Sequence, residues 1–416
     1  MDNETGGQKV GLIENIKSFS DNENLSVEKN GLLQSFLAKG FPTIKQEDWK
    51  YTSLKKIVAD NFSVEGNGVA ISESDIKKFT LGLQYKIVFC GGKLISKPSI
   101  DGVSISEFSE FETLNNDSIS GLNSALAKKG FTNKVAKNTV GEYPIEIFFF
   151  TSTHQDNFVQ YRNNIMVEEN AQIKFVERIQ NLSDSKCFVN HFTQINIGKN
   201  AKVEYNKIQD NNENAILIDN MNLYQQQDSS VIVNTLIFGG AFTRNNLNFE
   251  QNGSNCDSNM NGISILDNNQ FADNHTFMDH KQPHCRSNEM YKGIYLGDSK
   301  GVFNGKIMVR PDAQKIDAFQ SNNNLLLSEN ATIDSKPQLE IYADDVKCSH
   351  GCTIGQLDND ALFYMRSRGI REKEAKAVLT YAFASEAVNN FTIAEVKKLA
   401  QKRIAEKLHV DLDFNL

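Results

Sequence analysis

Apolar residues change their rhythm three times along the chain. Near the amino terminus Leu12, Ile13, Ile16 and Phe19, and then Leu32, Leu33, Phe36 and Leu37, recur at helical spacing, and Gly40 with Pro42 stops the second run. The segment Glu47-Asp48-Trp49-Lys50-Tyr51-Thr52 holds the only tryptophan. Residues 85 to 100, from Tyr85-Lys86-Ile87-Val88-Phe89-Cys90-Gly91-Gly92 onward, read as a short hairpin. The pattern predicts a mixed and helical amino-terminal domain over residues 1–142.

From Tyr143 to about Val346 helical periodicity is absent. Short apolar runs such as Ile145 to Phe150, Ile173 to Val176, Val231 to Ile237 and Leu339 to Ala343 are separated by Asn, Asp, Ser and Gly. A polar turn followed by an apolar strand recurs at Glu169-Asn170-Ala171-Gln172-Ile173, Lys199-Asn200-Ala201-Lys202-Val203 and Gln227-Asp228-Ser229-Ser230-Val231. It returns at Gly297-Asp298-Ser299-Lys300-Gly301-Val302 and Glu329-Asn330-Ala331-Thr332-Ile333. A period of about 30 residues fits the rung of a coiled β-solenoid, in which each rung buries its apolar side chains against the next and polar corners face water. A β-sandwich, whose strands also alternate and end in turns, is the competing architecture, and the regular interval favours the solenoid. The prediction is a mainly β core over residues 143–355.

After Gly355 the helical period returns. Asp358 is placed to cap a helix that carries Leu362 and Phe363 on an apolar face and stops at Gly369. A second helix aligns Ala375, Val378, Leu379, Ala382 and Phe383, with the charges of Arg371 to Lys376 mostly outside the stripe. In the third, Thr392 and Glu395 have capping-box spacing, Phe391 and Val396 occupy staple positions, and Ile393, Val396, Leu399, Ala400 and Ile404 share a face. This is a helical end domain over residues 356–416, whose exposed charges are either a solvated face or a docking surface.

Composition narrows the function classes. The chain has 416 residues and a formal net charge of −8, which leaves no basic footprint for a nucleic-acid backbone. Met1 to Gly7 is acidic without an apolar h-region, and no apolar stretch approaches the roughly 18 to 20 residues that span lipid, so a cytoplasmic location without membrane contact is expected. Six scattered cysteines (Cys90, Cys187, Cys256, Cys285, Cys348, Cys352) then read as reduced thiols. The Gly-Lys pairs at Gly92, Gly198 and Gly305 are followed by Leu94, Asn200 and Ile307, so none completes a P-loop.

The densest group of ligand-type residues is Lys347-Cys348-Ser349-His350-Gly351-Cys352, at the junction of the β core and the helical end. Two thiols flanking an imidazole, in what reads as a Gly-containing turn after a strand from Leu339 to Val346, suit iron, zinc or an iron–sulfur cluster. C-x-H-x-C lacks a second ligand pair, so a complete site needs ligands from elsewhere in the fold or from another chain. The competing reading makes the cysteines small core residues and His350 a corner hydrogen-bonder. A second group, His275, His280, His284 and Cys285, matches no zinc spacing and reads as structural or surface. Asp344 and Asp345 resemble an acid–base or calcium pair only in composition, because neighbours on a strand face opposite ways.

From Lys336 through Cys348-Ser349-His350-Gly351 to Leu362-Phe363-Tyr364-Met365-Arg366-Ser367-Arg368-Gly369-Ile370, the chain closely resembles the SufB/SufD family, subunits of the SufBCD iron–sulfur cluster assembly complex. His284-Cys285-Arg286-Ser287, Gly301-Val302-Phe303-Asn304-Gly305-Lys306 and Trp49-Lys50-Tyr51-Thr52 agree, and Asp344-Asp345-Val346-Lys347-Cys348-Ser349-His350 looks like the SufD side of the family. The resemblance implies a right-handed parallel β-helix flanked by helical domains. It further implies a non-catalytic scaffold that pairs with a SufB-type subunit and carries a SufC-type ATPase on its carboxy-terminal helices. The family's interface histidine falls on His350 and its neighbouring thiol on Cys348, as ligands of a transient cluster shared with the partner and with His350 as the metal ligand. Reduced flavin is a further cofactor on which the sequence is silent. Cys352 stands where relatives often carry Ala and receives no role. Two alternatives stand beside this reading: a β-solenoid acyltransferase or polysaccharide-modifying enzyme using His350 as general base, and a homodimeric adaptor.

Overall fold

The computed structural model describes residues 11–64, 68–107 and 117–408. The acidic Met1 to Gly7 stretch and the end of the carboxy-terminal segment lie outside these described residues.

The amino-terminal part comprises α1 (Leu12–Ser20), α2 (Val27–Lys39), a single 3-10 turn (Glu47–Trp49), α3 (Lys55–Val58), β1 (Ser63–Val64), α4 (Glu73–Phe79), β2 (Tyr85–Cys90), β3 (Lys93–Ser96), β4 (Val103–Glu107), α5 (Ser118–Leu126) and β5 (Phe131–Val135). The expected hairpin is β2 and β3, antiparallel across Gly91 and Gly92, both at positive φ. The coiled core follows as β6 (Ile145–Thr151), β7 (Asn157–Val167), β8 (Gln172–Asn181), β9 (Cys187–Ile197), β10 (Lys202–Gln209), β11 (Ala215–Gln225), β12 (Ser230–Ile237) and β13 (Phe242–Gln251). It continues as β14 (Asp257–Leu266), β15 (Phe271–His280), β16 (Arg286–Tyr295), β17 (Lys300–Val309), β18 (Ile316–Leu326), β19 (Thr332–Ile341) and β20 (Val346–Gly355). The chain ends in α6 (Asn359–Ser367), α7 (Glu372–Val388) and α8 (Ala394–Lys407).

From β6 onward each strand pairs in parallel with the strand two places on, so even strands form one sheet, odd strands the other, and two strands make one coil. This is the parallel β-solenoid. β2 and β3 extend the even sheet and β5 and β4 the odd one, each sheet reaching ten strands. Between the sheets, equivalent positions of successive coils stack: Phe175, Tyr205, Val233 and Met260 in the even sheet, and Ile165, Ile195, Leu223, Phe249, Met278 and Ile307 in the odd. Full burial of such side chains stabilises by roughly 1.5–3 kcal/mol each.

The repeated polar turns form the corners. Asn138, Asn170, Asn200, Asp228 and Asn255 all take left-handed backbone, a conformation that Asn and Asp tolerate because their short side chains bond locally. They are laddered through their amides, with Asn170 donating to Asn138, Asn200 to Asn170 and Asn255 to Asp228, each at 2.9 Å. The recurrence resolves into two series. Asn170, Asn200 and Asp228 precede even strands, whereas Asp298 and Asn330 (2.8 Å apart) precede odd strands on another corner.

Helices cover the outer faces. Leu12 and Ile16 of α1, Leu33 and Phe36 of α2, and Trp49 pack with Phe158, Phe188, Ile216 and Ile218 of the odd sheet. The Trp49 ring stacks on the buried Arg244 guanidinium at 3.7 Å, Arg244 donates to Asp273 at 2.6 Å, and Thr52 donates to the same carboxylate. Through the buried Trp49 and Thr52, the Trp49-Lys50-Tyr51-Thr52 segment is thus a clasp on the solenoid. On the even sheet, Ala384 and Val388 of α7 and Val396, Ala400 and Ile404 of α8 bury against Val176, Ile208, Leu236, Ile263 and Ile294.

Two helix expectations are corrected. The Thr392–Glu395 capping box does not form, because α8 starts at Ala394 with Ile393 as its cap; Thr392 instead donates to Glu204 and accepts from Lys174. Nor does α6 bury an apolar face: none of its residues is buried, with Phe363 73% and Tyr364 60% exposed.

Candidate functional site at the open end of the solenoid

Residues 347–352, expected in a turn, lie within strand β20. The preceding strand stops at Ile341, and Asp344 and Asp345 form the turn between β19 and β20. This matters because a strand, unlike a turn, sends alternate side chains to one face. Cys348, His350 and Cys352 therefore line one side of β20, the side that faces the lumen in earlier coils.

Register fixes what lies beneath them. Cys348 pairs with Ala318, His350 with Gln320 and Cys352 with Asn322 of β18. Cys348 is half-buried against the core, and burial raises its thiol above the ordinary range. His350 and Cys352 are exposed. The Cys352 thiol donates to the Ser335 hydroxyl at 3.1 Å, and Ser335 donates to Asn322 at 2.8 Å, which ties β20 to β19 across the mouth.

Successive same-face residues on a strand are about 6.6 Å apart. Two thiols and an imidazole so spaced do not converge on a single ion, and the cluster of metal-type donors found among the described residues lies elsewhere. What β20 presents is one imidazole and two separated sulfurs on an open face.

The end is open in a second sense. β20 pairs only with β18 and β19 only with β17, so both final strands carry an unpaired edge among the described residues. Exposed apolar side chains surround them: Ile341, Tyr342, Ile354 and Phe319. Unpaired edges with apolar rims are surfaces that proteins cover with a partner.

The second histidine group serves the fold. His280 is fully buried, with Nε2 2.9 Å from the Ser287 hydroxyl, and burial lowers its imidazole to about 4. His284 occupies a left-handed corner, in series with Asn255, and His275 faces Asp273 at 3.1 Å. Cys285 sits at the inner corner, accepting from the Cys256 amide at 3.4 Å. All six cysteines are free.

Sequence reasoning missed a buried polar group in the lumen: Glu177, His191 and Asp219 with Lys207. His191 Nδ1 lies 3.0 Å from Asp219, Glu177 3.6 Å from Nε2, and Lys207 2.7 Å from Asp219. Burial alone would lower the His191 imidazole, but Glu177 and Asp219 outweigh it and raise it. Lys207 already neutralises Asp219, so the group is a closed ion-pair network. Its one sequence signal is the 28-residue separation of His191 from Asp219, the length of a coil.

Residues 149–383 match the family model described as the SufBD core domain of the SUF system for FeS cluster assembly. The chain belongs to the SufBD family. It is 31% identical over 391 residues to the iron–sulfur cluster assembly protein SufD of Escherichia coli, covering 90% of this chain and 91% of that protein. A SufBD-family iron–sulfur cluster assembly protein of Synechocystis is 28% identical over 389 residues, covering 86% and 85%. SufD of Bacillus subtilis is 25% identical over 315 residues, covering 74% and 69%. Membership in the SufBD family, with SufD-type likeness along most of the chain, places it in iron–sulfur cluster assembly. No helix among the described residues is long and apolar enough to cross a membrane.

Proposed function

We propose that this chain is a non-catalytic scaffold subunit that supplies half of a composite site for a nascent iron–sulfur cluster. His350 is the metal ligand on its side, Cys348 is the neighbouring thiol, and a related SufB-type subunit completes the set. The observation that carries this reading is the incomplete donor face on a terminal strand whose outer edge is unpaired among the described residues. Such a face cannot close a tetrahedral site alone, and the adjoining edges offer main-chain groups for another strand.

Of the amino-terminal domain (1–142), the β core (143–355) and the helical end (356–416), the last two each receive a task. The core end meets the SufB-type partner, and the helical end takes a SufC-type ATPase on α6, whose exposed Phe363 and Tyr364 support that placement. The cluster is cargo rather than a resident cofactor.

The test is reconstitution with both partners. His350→Ala is expected to preserve folding and assembly and to reduce cluster yield; an unchanged yield would refute the ligand role.

A further inference from the structure

The amino-terminal helices cover the outer face of the odd sheet only near the starts of its strands, at Phe158, Phe188, Ile216 and Phe242. Over the later halves of β11 to β19 that face is an open cleft of about 610 Å³. Sites for small molecules span roughly 300–1,000 Å³. Asp48, Trp49, Asp117 and Ser120 line it from the amino-terminal part, and Lys281 and Arg310 from the corners that follow β15 and β17. None of the described residues of β20 lines it.

Parallel register sets the floor in rows that run along the solenoid axis. Asn220, Asn246 and Asn304 share one row. Asn222, Asn248, Phe277 and Gln338 share the next. Side-chain amides therefore recur at the strand spacing of about 4.8 Å. Asn246 donates to Asn220 at 2.7 Å and Asn248 to Asn222 at 2.9 Å. The first ladder ends at β11 with a donor to spare: Asn220 is only 4% exposed, yet its Nδ2 has no hydrogen-bond partner among the described residues. A buried donor at the floor of a cleft is satisfied by an acceptor on whatever enters.

Charge narrows what that is. Arg244 bonds Asp273 at 2.6 Å, Lys281 bonds Glu250 at 2.6 Å, Lys306 bonds Glu340 at 2.7 Å, and Arg310 bonds Asp279 through two nitrogens at 2.9 and 3.1 Å. His275 also faces Asp273, and the Asp117 carboxylate accepts from the Ile119 and Ser120 amides at the start of α5. The cations of the cleft are thus each held by a carboxylate of the same chain, and a phosphate or carboxylate ligand would have to break those pairs. What stays available is amide groups beside the half-buried rings of Phe277 and Tyr224. Amides both donate to and accept from hydroxyls, and the rings match the apolar C–H faces of a sugar. An extended peptide fits less well, because it pairs through its main chain with a sheet edge and this is a sheet face.

We infer that this cleft is a binding site for a neutral oligosaccharide lying along the solenoid axis, its successive rings over the amide rows of successive coils. Asn220 Nδ2 donates to a ring or hydroxyl oxygen, the Asn222 and Asn248 amides hold hydroxyls, and Phe277 packs against one ring face. The site is separate from the β20 face and does not rest on the proposed function.

The test is calorimetric titration of the full-length chain with cellohexaose, maltohexaose and mannohexaose as neutral probes, hexagalacturonate as the charged counterpart and a Ser/Asn hexapeptide as the peptide counterpart. At least one neutral hexamer is expected to bind at one per chain, more tightly than the charged sugar or the peptide. Asn220→Asp keeps the oxygen that accepts from Asn246 and removes the spare donor; Phe277→Ala removes the ring. Each is expected to weaken binding at least tenfold in a chain that circular dichroism shows to be folded. Phe277 is a half-buried side chain of the outer face, so its variant keeps the test decisive if the buried Asn220→Asp does not fold. Failure of all three neutral probes to bind, equal or tighter binding of hexagalacturonate or of the peptide, or wild-type affinity in either folded variant would overturn the site.

Discussion

His350 stands in register with Gln320, one strand further from the body of the solenoid, and among the described residues no strand pairs beyond it. The imidazole is therefore held by regular β pairing on its inner side and presented at an exposed edge, which the proposed function completes with a second molecule.

If that surface is the docking edge, charge on its apolar rim will weaken association and leave the lone chain folded. Ile354→Asp combined with Tyr342→Asp is expected to reduce binding of the SufB-type subunit at least tenfold. Because both side chains are exposed, the melting midpoint of the isolated chain should move little, within roughly 0.5 kcal/mol per substitution. Light scattering of the mixture, with thermal denaturation of each chain alone, separates the two effects.

The SufC-type contact proposed for the helical end is tested better by point substitution than by truncation. Removing residues 356–416 would uncover the apolar face of the even sheet that α7 and α8 bury. Phe363→Asp touches only exposed α6 and is expected to lower affinity for the SufC-type ATPase while sparing the SufB-type contact. Pull-down of each partner by the variant checks this.

The clasp on the odd sheet predicts acid sensitivity. Burial alone would raise the Asp273 carboxyl, but Arg244 and His275 outweigh it and hold it below the usual range. A depressed carboxyl stabilises above its unfolded pKa, and that contribution is lost as pH falls through the lower folded value. Asp273→Asn is expected to cost about 3–5 kcal/mol near neutral pH, because it leaves Arg244 buried without its partner. The cost should shrink toward acid. Urea denaturation at several pH values measures it.

The lumen network predicts the opposite sign. With the His191 imidazole raised, its contribution is present below the ordinary histidine range and lost as pH rises through the raised value. His191→Gln strips Asp219 and Glu177 of this partner and should destabilise by about 3–5 kcal/mol at mildly acid pH, with the difference narrowing as pH increases. A variant curve parallel to wild type across that range would remove His191 from the account.

The architecture was legible because Asn170, Asn200 and Asp228 repeat at the coil length, and after Gly such residues take the left-handed corner most easily. The repeat fades later because His284 and Lys315 adopt the same corner conformation without the Asn signature. The cysteine–histidine segment was visible from residue type, but Gly351 suggested a turn where pairing with β18 imposes a strand. The capping box failed because Thr392 found a buried carboxylate on another element. The contact of Glu177 with His191 was invisible for a geometric reason. Alternation reveals which residues face inward, and only the register of successive coils says which of them touch.

The most direct measurement of the central claim is cluster formation, followed by visible absorbance and iron content, in the complex reconstituted with wild-type or His350→Ala chain under anaerobic conditions. The account predicts assembly of both complexes to the same mass, with a markedly lower cluster yield for the variant. Equal yields, or a wild-type chain that builds a stable cluster with no second subunit present, would contradict it.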